Sequence, residues 1–253
     1  MFIERHSQNN GRKDLRAVFF DLDETLIKNN IPVRQLFPKV FFDFQNEIGL
    51  ENRAAFFDVL QKEVKGLWMR MFDSKICPEQ QLVTCFIKAL NNTRAINPTV
   101  VPRMAKRMVA HFFKLGSFNV ELHPGAIETL DGLRERGIII GIVTNGMETL
   151  QIGKIKRLRL DEHIDNLTIS AEARAHKPDK AIFDLALSRA GVDAEHAWFV
   201  GDHITNDVSG AIRAGLHSIY YNPQNLHVER SFVGVVERPD YTINHLTELL
   251  EYL

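Results

Sequence analysis

The sequence predicts an α/β fold, in which a doubly wound parallel sheet carries an inserted all-helical bundle. Two patterns predict it. After residue 120, short apolar runs typical of buried strands alternate with helical stretches, and each parallel return needs a crossover long enough to hold a helix. Before residue 120, a long stretch shows helical spacing alone. The 253 residues suffice for one large or two modest domains.

The first predicted strand, 16–20, follows a polar leader. Residues 1–15 show no periodicity and are predicted to be flexible. The apolar run that follows contains β-branched and aromatic residues and stops at Asp21, with Asp23 two positions later. The sequence therefore predicts a buried strand that ends in acids.

The stretch 29–119 is predicted to be an all-helical domain inserted after the first strand. Its apolar residues recur three or four positions apart, as in Val33, Leu36, Phe37, Val40, Phe41, Phe44 and Ile48. Further helices are predicted at 53–71, 78–90 and 100–115. No strand is expected in this segment.

The remaining elements complete the α/β domain, which is predicted to comprise 16–28 and 120–253. Strands are expected at 138–143, 167–169, 197–200 and 217–221. Helices are expected at 126–136, 150–158, 178–190, before Gly215, and at 246–253.

Composition excludes several classes of partner. With 31 basic and 32 acidic residues, the formal net charge is -1, which predicts no binding to a nucleic-acid polymer or an anionic membrane. No apolar run approaches the roughly 20 residues that a bilayer span needs. The two cysteines form no CxxC motif. This cysteine pattern and the absence of an apolar span both fit a reducing compartment, and we therefore predict a cytoplasmic protein. The sequence leaves the oligomeric state open.

Polar residues follow the ends of the predicted strands, where an open parallel sheet binds its ligands. These residues are Asp21 and Asp23, Thr144 and Asn145, Lys177, and Asp202 with Asp207. Carboxylates two positions apart on extended backbone project to the same side, and a cation is needed to offset their repulsion. An oxygen-rich cluster of this kind suits Mg²⁺ together with a substrate phosphate.

These motifs, in this order, resemble those of the haloacid dehalogenase superfamily, over residues 16 to about 221. The resemblance is to bacterial 5'-nucleotidase and FMN phosphatase-like members, and implies a Rossmann-like core with a helical C1-type cap. It implies Asp21 as nucleophile, Asp23 as general acid and base, and Mg²⁺ at Asp21, Asp23 (through its backbone carbonyl) and Asp202, with Asp207 supporting that shell. The phosphate-binding residues it implies are Leu22 (backbone N–H), Thr144, Asn145 and Lys177.

The function that the resemblance implies is hydrolysis of a small-molecule phosphate ester through an aspartyl-phosphate. Nucleoside monophosphates or FMN are favoured, and sugar phosphates and phosphoglycolate stay open. Asp23, together with Asp202 and Asp207, argues for phosphoryl transfer and against a dehalogenase. A phosphomutase and a non-catalytic phosphometabolite-binding protein remain alternatives. Before the Lys177-Pro178 pair, where relatives with this cap often have Gly and Ala, this chain has Arg174 and His176. Arg174, His176 and His203 are interpreted either as surface variation or as substrate contacts.

Overall fold

The computed structural model describes residues 14–69, 77–93, 96–225, 234 and 237–253. The chain divides into two compact units. The α/β unit comprises Met1–Lys28, Leu122–Asn145 and Arg159–Leu253, and the helical unit comprises Asn29–Glu121 and Gly146–Leu158. Most of the predicted leader lies outside the described residues.

A six-stranded parallel sheet forms the centre of the α/β unit, in the order β5-β4-β1-β6-β7-β8. The remaining two strands, β2 and β3, form a small sheet of their own. The strands are β1 (Ala17–Phe20), β2 (Ile27–Asn29), β3 (Val120–Leu122), β4 (Ile139–Thr144), β5 (Asn166–Ile169), β6 (Ala197–Gly201), β7 (His217–Tyr221) and β8 (Tyr241–Ile243). The predicted α/β class and its parallel sheet are confirmed.

The helices account for most of the remaining described residues. They are α1 (Val33–Asp43), α2 (Gln45–Ile48), α3 (Arg53–Met69), α4 (Pro78–Thr93), α5 (Val101–Phe118), α6 (Ala126–Glu135), α7 (Glu148–Arg157), α8 (Ser170–Ala173), α9 (Lys180–Ala190) and α10 (Gly210–Ala214). The end of the predicted helix 53–71 lies outside the described residues.

Three local predictions are wrong. The predicted terminal α-helix is a 3₁₀-helix, Leu246–Glu251, whose buried Leu246 and Leu249 are three residues apart, matching the 3₁₀ repeat. Strands β3 and β8 were not predicted. Strand β2 enters the stretch expected to hold helices alone, and all three strands have only three residues, too few for an alternating pattern to emerge.

The segment Gly146–Leu158 belongs to the helical unit, although the sequence placed it in the α/β domain. Its helix α7 packs on α5, and Leu150 joins the apolar core of the helical unit. Two glycines permit this close approach. A Cβ on Gly116 would lie 2.6 Å from Leu150 Cδ1, and one on Gly153 would lie 2.2 Å from Ser117 Oγ.

Among the described residues, no helix combines the length and apolarity that crossing a membrane requires.

Candidate active site

The predicted site residues of three neighbouring strands lie at one edge of the sheet. Phe20, the last residue of β1, pairs with Ile142 of β4 and with Val200 of β6. Asp21 follows directly, and its N–H donates to Val200 O at 2.9 Å. The register therefore brings Asp21, Thr144 at the end of β4 and Asp202 after β6 to adjacent carboxyl ends, where parallel sheets bind ligands.

A tight loop follows Asp21. The Leu22 carbonyl accepts from the Leu26 and Ile27 N–H groups at 3.1 and 3.0 Å, and Glu24 has a left-handed φ of 62°. Leu22 is fully buried, and its N–H donates to Asp21 Oδ1 at 2.7 Å. The loop thus holds the Asp21 carboxylate against the backbone while Asp23 stays half-buried.

Lys177 joins two acids at the centre of this edge. Its Nζ lies 2.7 Å from Asp21 Oδ1 and 2.7 Å from Asp207 Oδ1, and only 2% of its side chain is exposed. Burial lowers the pKa of the ammonium, but the ion pairs with Asp207 and Asp21 outweigh burial and the net pKa is raised. Lys177 therefore stays charged, next to two carboxylates.

Asn145 binds the backbone of Lys177. Its Oδ1 accepts from the Lys177 N–H at 2.8 Å, and its Nδ2 donates to the Lys177 carbonyl at 3.0 Å. The sequence predicted Asn145 as a phosphate ligand, and that role remains a prediction. The hydrogen bonds of its amide in the structure instead fix the position from which Lys177 extends to Asp21.

Asp207 reaches the site on a π-helical turn, Ile204–Ser209, a feature frequent at functional sites. Its Oδ2 accepts from the His203 N–H at 2.9 Å. A Cβ on Gly201 would lie 2.5 Å from the Asp207 carboxylate, so this position requires glycine. His203 is exposed, and its Nδ1 accepts from the Asn206 N–H at 3.1 Å, which gives it a capping role.

Thr25 was not predicted as a site residue. Its buried hydroxyl accepts from the Asp202 N–H at 3.1 Å and donates to Asp202 Oδ1 at 3.3 Å. It belongs to the acidic motif that follows β1, but nothing along the sequence pairs it with Asp202. These contacts orient the Asp202 carboxylate.

The site is rich in negative charge. Asp21, Asp202 and Asp207 each have a carboxylate oxygen within 4.8 Å of those of the other two. Burial, opposed by Lys177 and reinforced by Asp207, raises the pKa of Asp21 well above its usual range. Burial and the neighbouring Asp207 raise the pKa of Asp202 to about 7. Because the crowded carboxylates repel one another when ionised, a divalent cation between them would offset the repulsion. A set of ligands made of oxygen atoms alone suits Mg²⁺. The Asp23 carboxylate is not part of this group, and its predicted contribution through a backbone carbonyl remains a prediction.

Comparison with known proteins identifies the class. The model of the haloacid dehalogenase-like hydrolases matches residues 15–215, and the chain belongs to this family. It is therefore a member of a hydrolase family, as its sequence predicted.

Relatives and solved structures agree with this assignment. The chain is 29% identical over 243 residues to ribulose-1,5-bisphosphate 5-phosphatase of Halopiger xanaduensis, covering 93% of this chain and 98% of the relative. It is 37% identical over 131 residues to pyrimidine 5'-nucleotidase YjjG of Escherichia coli, covering 51% and 56% of the two chains. The structure of a 2-haloacid dehalogenase from Pseudomonas syringae pv. Tomato matches with a TM-score of 0.75 and 25% identity, over 94% of this chain and 97% of that one.

Proposed function

We propose that this protein is a Mg²⁺-dependent phosphatase that hydrolyses small phosphate monoesters through an aspartyl-phosphate on Asp21. The arrangement that supports this most is the buried Lys177 between Asp21 and Asp207, beside Asp202. This arrangement supplies one cation and an acid cluster suited to a metal ion. Both would bind a phosphoryl group, which carries negative charge on several oxygens.

In the proposed reaction, Asp21 is the nucleophile. Its carboxylate attacks phosphorus, the bond to the leaving oxygen breaks, and Asp23 gives that oxygen a proton. Asp23 then takes a proton from water, whose oxygen attacks the phosphorus of the aspartyl-phosphate and releases inorganic phosphate. Both carboxyl groups return to their initial states, so the cycle balances.

The neighbours of Asp21 suit this role. The Lys177 ammonium, 2.7 Å away, favours the ionised carboxylate that burial disfavours, and it remains available to the phosphoryl oxygens. Asp21 and Asp202 would hold Mg²⁺, together with the Asp23 carbonyl, while Asp207 would orient Lys177. Bound Mg²⁺ supplies charge neutralisation at the transferring phosphoryl group.

For the substrate, we propose a small phosphorylated metabolite, either a nucleotide or a sugar phosphate. The two relatives above are named for ribulose-1,5-bisphosphate and for pyrimidine 5'-nucleotides, so both classes belong in a first screen. FMN and phosphoglycolate complete the panel. A phosphomutase would require a bisphosphate and would transfer the phosphoryl group to a second sugar instead of to water, so identifying the acceptor tests that alternative.

Replacement of the nucleophile tests the mechanism. We expect Asp21→Asn to lower kcat by at least about 10³-fold, because an amide cannot form the acyl-phosphate. The variant should still unfold in a cooperative thermal transition, because Lys177 keeps its ion pair with Asp207. The matched control is Asp184→Asn, which removes an exposed carboxylate of the same unit. Substantial turnover by Asp21→Asn would exclude this residue as nucleophile.

A dehalogenase is the second candidate, because a solved dehalogenase is structurally similar. The acid cluster favours phosphoryl transfer, since displacement of halide by Asp21 alone needs no group of three carboxylates. Chloride release from 2-chloropropionate without Mg²⁺, and no phosphate release from the panel with it, would reverse this choice.

A further inference from the structure

The helical unit contains a cavity of about 690 Å³, lined by residues of α1 and α3. This volume lies within the range of about 300–1,000 Å³ that is typical of small-molecule sites. Its walls are mostly apolar. Val33 and Phe37 come from α1, and Phe57, Leu60 and Val64 come from α3 at spacings of three and four residues, which place them along one side of that helix.

The aromatic walls of the cavity are held in place by the core behind them. The centroid of the Phe37 ring lies 4.8 Å from the centroid of the Phe112 ring, and the Phe57 and Phe41 ring centroids are 5.4 Å apart. Both walls are only partly buried, so part of each ring is left for another molecule to cover. A preformed cavity of this kind binds a ligand with little ordering cost.

Two of the three polar residues that line the cavity carry positive charge. Arg34, Gln61 and Lys65 line it, and the described lining residues include no acid. Within the described part of the chain, neither Arg34 nor Lys65 forms an ion pair. Arg34 is also the second residue of α1, where the positive end of the helix dipole disfavours a cation and an anion would relieve the repulsion.

We propose that this cavity binds a small organic anion with a flat apolar body. The body packs against Phe37 and Phe57, and the anionic group pairs with Arg34 and Lys65. A neutral, polyhydroxylated molecule fits poorly, because the apolar walls would leave its hydroxyl groups without hydrogen-bond partners. Binding at this cavity does not depend on the proposed phosphatase activity.

Two fluorescent probes of similar shape test the proposal on the full chain. 1-Anilinonaphthalene-8-sulfonate carries an anionic group, and N-phenyl-1-naphthylamine lacks it. We expect Arg34→Gln and Lys65→Gln to weaken sulfonate binding by about five- to tenfold at low salt, and to change binding of the neutral probe by less than about twofold. The control is Lys62→Gln, an exposed lysine of α3 outside the cavity lining, which should change neither.

Filling the cavity provides a second variant. Val64→Trp should weaken both probes, because its ring occupies the space between the helices, and its thermal unfolding should match the wild type. The proposal is overturned if Arg34→Gln and Lys62→Gln have the same effect on the sulfonate probe. It is equally overturned if a folded Val64→Trp variant binds both probes as the wild type does.

An activity assay identifies the source of the anion, and only this measurement rests on the proposed function. Competitive inhibition of phosphate release by the sulfonate probe would assign the cavity to the organic part of the substrate. Inhibition or activation without competition would assign it to a separate organic anion. An inactive protein that still binds the probes would refute the proposed function and leave the cavity proposal standing.

Discussion

Replacement of Lys177 by Met tests the electrostatic design of the site. Methionine fills a similar volume but removes the ammonium that contacts both Asp21 and Asp207. The two carboxylates then lack their cation in a buried setting, where Asp207 is 1% exposed and Asp21 9% exposed. Removal of one partner from a buried ion pair costs about 3–5 kcal/mol, so we expect a loss of that size in the free energy of unfolding.

Urea unfolding of the metal-free protein near neutral pH measures this loss. The control is Lys180→Met, which breaks an ion pair with Asp184 in which 59% and 49% of the side chains are exposed. Exposed pairs contribute about 0–1 kcal/mol, so this control should unfold close to the wild type. Comparison of the two variants separates the effect of breaking a buried ion pair from the effect of removing a lysine charge.

A second substitution and the pH dependence sharpen the test. Asp207→Asn in the Lys177→Met background removes one uncompensated charge and should recover part of the loss. Without Lys177, the pKa of Asp21 rises further, and a group with a raised folded pKa favours folding at low pH. The loss should therefore shrink as pH falls. If Lys177→Met costs no more free energy of unfolding than Lys180→Met, the buried cation does not stabilise the site.

Three further predictions concern the metal and the positions of its neighbours. Because the pKa of Asp202 is about 7 and the proposed Mg²⁺ would bind its ionised carboxylate, we expect the apparent Mg²⁺ affinity to fall by at least about tenfold per pH unit below 7. Calorimetric titrations across this range would contradict the assignment if the affinity stayed constant. Thr25→Val should weaken Mg²⁺ binding by about 10- to 100-fold, because Asp202 loses the hydroxyl that orients it. Asn145→Ala should lower kcat and the affinity for inorganic phosphate by about tenfold, because the Lys177 backbone is released, and an effect on neither would remove Asn145 from the site.

Much of the architecture could be predicted because it depends on local patterns. The strands at the centre of the sheet are continuous apolar runs, and each of β1 and β6 is followed at once by an acid, so both the strands and their chemistry lie within short stretches of sequence. The four motifs in order also sufficed to predict the family to which the chain belongs. Three-residue strands such as β8 could not be predicted, because they are too short to show a recognisable hydrophobic pattern.

The contacts that define the site were decided by the tertiary structure alone. Thr25 and Asp202 are separated by 177 positions, and the Asn145 amide meets the Lys177 backbone 32 positions away. Such pairs depend on strand register and on side-chain conformation, which no periodicity along the chain encodes. The sequence by itself determined which strands end in acids. Only the folded chain decided that Lys177 lies between Asp21 and Asp207, because a buried cation is stable only where packing brings its counter-charges within contact.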